Sequence, residues 1–99
     1  MDEELIKETQ KLISFESYPG QEKEVSDYLV TLMKRLNFRD VFQDEYGSVF
    51  GFIGPKKENT SILFDSHTDV MPVRGNWKYP PFGGEISDGK LYGRGSTDM

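Results

Sequence analysis

Ile62-Leu63-Phe64 is an unbroken apolar run that stops at Asp65-Ser66-His67-Thr68-Asp69, and it restricts the folds open to this chain more than any other feature. A strand with one face in water alternates in polarity. A short run without alternation, introduced here by Ser61, suits a strand covered on both faces, as in the middle of an α/β sheet. Such a strand needs partners on both edges and helices on both faces. A chain of 99 residues, one domain at most, supplies only part of that cover.

The pattern before the run is helical. Leu5, Thr9, Leu12 and Ile13 share one face of a helix expected over residues 3–16, with Glu3 and Glu4 in the first turn, where the helix dipole favours acids. Tyr18-Pro19-Gly20 breaks it. A second helix is expected from about Gln21, with Val25, Tyr28, Leu29, Leu32 and Leu36 on one stripe. Lys34 and Arg35 stand in its last turn and Asn37 just beyond, the residue types that end helices.

From Asp40 the period changes. Val41–Glu45 and Ser48–Ile53 read as strands of a hairpin turning at Tyr46-Gly47. Pro55 to Asn59 is a polar turn, and residues 66–82 carry little regular pattern. Gly84–Ile86 and Lys90–Tyr92, around Ser87-Asp88-Gly89, read as a second hairpin. Two helices followed by a mixed β-sheet make the expected class α/β.

Composition removes several functions. Hydrophobic residues at 35% and aromatics at 13% are too many for a disordered chain. Twelve basic against seventeen acidic residues, net charge −5, with no basic stripe, argue against a nucleic-acid partner. No apolar stretch is long enough to span a membrane, and the acidic Met1-Asp2-Glu3-Glu4 is unlike a signal peptide. The sequence has no cysteine, so any metal must be held by histidine and carboxylates. The same absence fits a cytoplasmic location.

Chemistry concentrates where the apolar run ends, the side of an α/β sheet on which ligands gather. His67 is the only histidine, and Asp69 follows two positions later. In a metal site one imidazole nitrogen ligates while a carboxylate holds the other N–H, a part Asp69 can fill. Alone, a histidine beside an aspartate is more often a surface or capping residue than a ligand. A second constellation is Tyr92-Gly93-Arg94-Gly95-Ser96-Thr97-Asp98. Asp98 reads as a metal-bridging carboxylate or as a residue at a helix N-terminus, and Arg94 as an anion binder or, more readily, as a member of a structural ion pair.

Together and in order, these segments resemble the M20 metallopeptidases. The stretch Ile62 to Val73, a strand leading into His67-Thr68-Asp69 with Pro72 three residues on, is similar to that family's first metal motif. Trp77, Pro81-Phe82 and the run Asp88 to Met99 are similar to the segment ending in its second, and Asp44 to Val49 to the hairpin preceding the first. Met71 stands where the family usually has valine. The resemblance lies closest to the deacetylase and desuccinylase-like branches.

The resemblance implies a zinc-aminopeptidase-like catalytic domain of which residues 1–99 are the N-terminal part, with the rest of that domain and a dimerisation domain absent. It implies two zinc ions, with His67 a ligand of one, Asp98 bridging both, and Asp69 the catalytic-site acid that orients His67. The implied chemistry is hydrolysis of amide bonds in short peptides or N-acyl amino acids. The family also needs, after the second motif, a Glu-Glu pair, a further acid and a distant histidine, which residues 1–99 do not supply. The parent family is enzymatic; this chain alone is expected to be inactive and to bind zinc weakly at most. Self-association through an exposed sheet edge is expected. The alternatives are a non-catalytic oligomerising module, or a metal-binding protein completing its site across a dimer with two His67 and two Asp98.

Overall fold

The computed structural model describes residues 2–99. Helix α1 runs Glu3–Ile13 and helix α2 Lys23–Arg35. Strands β1 (Arg39–Gln43) and β2 (Val49–Phe52) form one antiparallel hairpin, β3 (Glu85–Ser87) and β4 (Lys90–Tyr92) another. No helix is long and apolar enough to cross a membrane among the described residues.

Local chemistry accounts for the element ends. Asp2 caps α1 by accepting the Glu4 amide at 2.8 Å. The helix stops at Ile13, sooner than the apolar pattern suggests, because the Ser14 hydroxyl turns back to donate to the Lys11 carbonyl at 2.6 Å. At the end of α2, Asn37 takes a left-handed φ of 62°. This lets its amide reach the Lys34 carbonyl (3.1 Å) and the Phe38 amide reach the Met33 carbonyl (2.9 Å), the paired bonds of a Schellman cap. In the β3–β4 turn, Asp88 (φ 52°) and Gly89 (φ 72°) both adopt left-handed backbone, as a two-residue hairpin loop demands. The longer β1–β2 turn is organised by Asp44, whose carboxylate accepts the Tyr46 and Ser48 amides at 3.0 and 2.9 Å.

Each helix serves one hairpin. Helix α2 lies on β1–β2, where Gly51 leaves space filled by Met33 and Phe38; a Cβ there would stand 2.9 Å from both side chains. Helix α1 meets the β3–β4 region through Ile13 against Gly93, and through Gln10, whose amide donates to the Gly84 carbonyl at 2.8 Å. The helices are tied together by Glu8, which accepts hydrogen bonds from the Tyr28 hydroxyl and the Arg35 guanidinium. Phe15 packs on Tyr28 beside them, ring centroids 5.5 Å apart.

The α/β class and both hairpins agree with the sequence reading, but the strands form two separate antiparallel pairs. Ser61–Phe64 is not a strand among the described residues. A strand exists through hydrogen bonds to its neighbours, and this run pairs with neither hairpin. Ile62, Leu63 and Phe64 are 78%, 85% and 91% exposed, opposite to the expected double cover. The buried hydrophobic side chains among the described residues are Ile13 and Val25, and neither is fully enclosed. The accessible surface is 7931 Å², where a compact protein of 11.4 kDa exposes roughly 5,800 Å². The chain therefore holds much apolar surface that a finished core would enclose.

Candidate functional site

The segment carrying His67 and Asp69 is irregular backbone, and it is placed by the loop between the two helices. Ser17, buried in that loop, donates its hydroxyl to the Thr68 carbonyl at 2.7 Å. Its own carbonyl accepts the Val70 amide at 2.9 Å. The turn after β4 brings in Asp98. Gly95 (φ 91°) bends that turn, and a Cβ on it would stand 3.2 Å from Val70 Cγ1.

These placements bring together all three residues singled out from the sequence. His67 Nε2 stands 3.2 Å from Asp98 Oδ1 across 31 residues of chain. His67 Nδ1 stands 3.1 Å from the Asp69 backbone carbonyl and 3.3 Å from its carboxylate. The backbone carbonyl can only accept, so Nδ1 carries the proton. The imidazole is held above the ordinary histidine range, first by that carbonyl, then by the Asp98 carboxylate and the charge of both acids. Loss of solvent works in the opposite direction.

The donor set suits a cation. With the proton on Nδ1, a neutral imidazole turns the Nε2 lone pair toward a carboxylate oxygen, and two acceptors that close need a proton or a metal between them. Ligands on a tetrahedral zinc with bonds of about 2.0–2.1 Å stand roughly 3.3 Å apart, close to the observed Nε2–Oδ1 separation. His67 and Asp98 thus fit two positions on one ion. Among the described residues no group of three His, Asp or Glu side chains could hold a metal. That falls short of the three or four protein ligands zinc usually takes.

Two surroundings complete the site. An open groove of about 850 Å³ runs from His67 and Asp69 past Ser26, Leu29 and Met33 of α2 to Tyr46 in the β1–β2 turn. Arg94 makes no ion pair among the described residues. It lies over the Trp77 ring at 4.8 Å and donates to the Pro72 carbonyl at 3.3 Å, tying the loop after the first motif to the second. Ser17 was not legible as a site residue. Its role comes from contacts 51 and 53 positions away, and serine in a helix-breaking loop carries no such signal.

Residues 63–99 match the sequence model of Peptidase family M20/M25/M40. The chain is 34% identical over 92 residues to a succinyl-diaminopimelate desuccinylase of Vesicomyosocius okutanii, covering 90% of this chain and 24% of that protein. Proteins of the same name from Blochmanniella floridana and Wolbachia pipientis are 36% and 37% identical, covering 100% and 92% of this chain and 27% and 24% of theirs. No solved structure matches. The chain spans about a quarter of the length of these relatives. His67, Asp69 and Asp98 all fall within residues 63–99, the part of the chain that is similar to peptidase family M20/M25/M40.

Proposed function

We propose that residues 1–99 are the first part of the catalytic domain of a zinc-dependent amidohydrolase that cleaves N-acyl amino acids or short peptides. Succinylated amines are the favoured substrates, as the names of the relatives suggest. The observation that supports this reading best is the 3.2 Å approach of His67 Nε2 to Asp98 Oδ1.

In this reading His67 offers Nε2 to one zinc, while the Asp69 carbonyl and carboxylate hold Nδ1–H and so fix ring and tautomer. Asp98, 81% exposed, presents a carboxylate that two ions can share. What bound zinc supplies in such a site is carbonyl polarisation and a water acidic enough to attack near neutral pH. The remaining ligands and the general base come from outside these residues, so the chain alone binds zinc weakly and does not hydrolyse amides. The same reading puts the protein in the cytoplasm, in keeping with a sequence free of cysteine.

The test compares this chain with the full-length protein on N-succinyl and N-acetyl amino acids, following carboxylic acid release with and without a chelator. Activity only in the full-length protein, abolished by His67→Ala and by chelation, is expected. Turnover by the 99 residues alone sinks the assignment as a partial domain, and turnover surviving His67→Ala sinks the metal role.

A second reading rests on the exposed Ile62, Leu63 and Phe64: the chain associates with itself through this uncovered segment. It is compatible with the first reading and is separated from it by light scattering.

A further inference from the structure

We propose that Ser17 is a positioning residue for both halves of the candidate metal site, an inference that rests on the metal reading of His67 and Asp98. Ser17 is 4% exposed, and no partner within its own loop uses its hydroxyl. Instead it brackets Asp69. The hydroxyl holds the Thr68 carbonyl at 2.7 Å on one side, and the Ser17 carbonyl holds the Val70 amide at 2.9 Å on the other. Two bonds from one residue fix the peptide planes before and after Asp69. They therefore fix the carbonyl region against which Nδ1 of His67 rests at 3.1 Å.

The constraint reaches the second motif as well. Val70, tied to Ser17 by its amide, packs on Gly95 so closely that a Cβ there would lie 3.2 Å from Val70 Cγ1. Gly95 lies inside the turn closed by the Ser96 amide on the Gly93 carbonyl at 3.2 Å, three residues before Asp98. One serine in the loop between α1 and α2 thus aligns the imidazole and, through Val70 and Gly95, the carboxylate facing it. Ordered side chains in a metal site depend on partners of this kind, because an imidazole free to rotate must be fixed again at every binding event.

The single histidine makes the test specific, since any imidazole signal of this chain reports His67. The chain is labelled at histidine and read by NMR as wild type, Ser17→Ala and Ser14→Ala. Ser14, whose hydroxyl serves only the Lys11 carbonyl, is the control in the same loop. Without metal, wild type and Ser14→Ala are expected to show the contact between the His67 ring and the Asp98 methylene, and a slowly exchanging Val70 amide. In Ser17→Ala the contact is lost and the amide exchanges faster, while far-UV circular dichroism still shows both helices. Titration with zinc sulfate, followed on the imidazole signal, is expected to show about tenfold weaker binding in Ser17→Ala.

A ring contact and zinc affinity unchanged in Ser17→Ala overturn the proposal and leave the metal reading standing. An imidazole signal indifferent to zinc in wild type overturns the metal reading, and the metal-free contact still decides the role of Ser17. Should Ser17→Ala unfold, Ser17→Cys, of similar volume and a weaker donor, carries the same measurements.

Discussion

Ile13 occupies the space in which Gly93 would carry a Cβ. The side chain, 5% exposed at the end of α1, lies directly on the glycine backbone, and the Pro81 carbonyl closes the other side at 3.3 Å. Gly93→Ala is expected to destabilise the chain by about 1–3 kcal/mol, because a buried branched side chain must leave its position. Ile13→Ala removes Cγ2, the atom nearest that Cβ, so Gly93→Ala should cost less in the Ile13→Ala background than alone. Urea denaturation of the two single variants and the double variant checks the coupling.

The Schellman cap at Asn37 gives a second outcome. Left-handed backbone costs an alanine roughly 1–2 kcal/mol and a glycine almost nothing. Asn37→Ala should lower the denaturation midpoint, whereas Asn37→Gly should leave it unchanged or raised. Equal effects would show that the φ of 62° does not matter to stability.

The junction of the helices should weaken at both extremes of pH. The Tyr28 hydroxyl and the Arg35 guanidinium hold the Glu8 carboxyl below its ordinary value of 4.5. A depressed carboxyl stabilises the fold above pH 4.5, and that contribution is lost as pH falls through the lower folded value. The same carboxylate raises the Tyr28 hydroxyl above its ordinary value of 10.0, so its contribution is present below pH 10 and lost as pH climbs through the raised value. Helix content followed by circular dichroism should fall at both ends, and Glu8→Gln should flatten both slopes.

Phe64 offers a test of self-association. At 91% exposure its replacement by glutamate should change stability by less than about 0.5 kcal/mol. If the uncovered run is the contact, Phe64→Glu should shift the mass measured by light scattering toward the monomer. A wild type that is monomeric at high concentration removes the need for the contact altogether.

Much of this protein was set by short-range chemistry that the sequence displays. The helices follow from apolar spacing, acidic first turns and basic last turns. The hairpins follow from Asp44 to Ser48 and from Asp88-Gly89, whose turn geometry depends on residues within the turn. Glycine and asparagine at left-handed positions mark the ends of these elements, and a family resemblance could be drawn because both motifs are local strings. Tertiary structure alone decided three matters. It left Ile62-Leu63-Phe64 unpaired, since apolar character does not make a strand without a neighbour to receive its hydrogen bonds. It brought His67 and Asp98 to 3.2 Å across 31 residues of chain, a proximity that no local spacing sets, beside the close approach of Val70 to Gly95. It also gave Ser17 two partners more than fifty residues away, because a buried hydroxyl is satisfied by whichever backbone group the fold delivers to it.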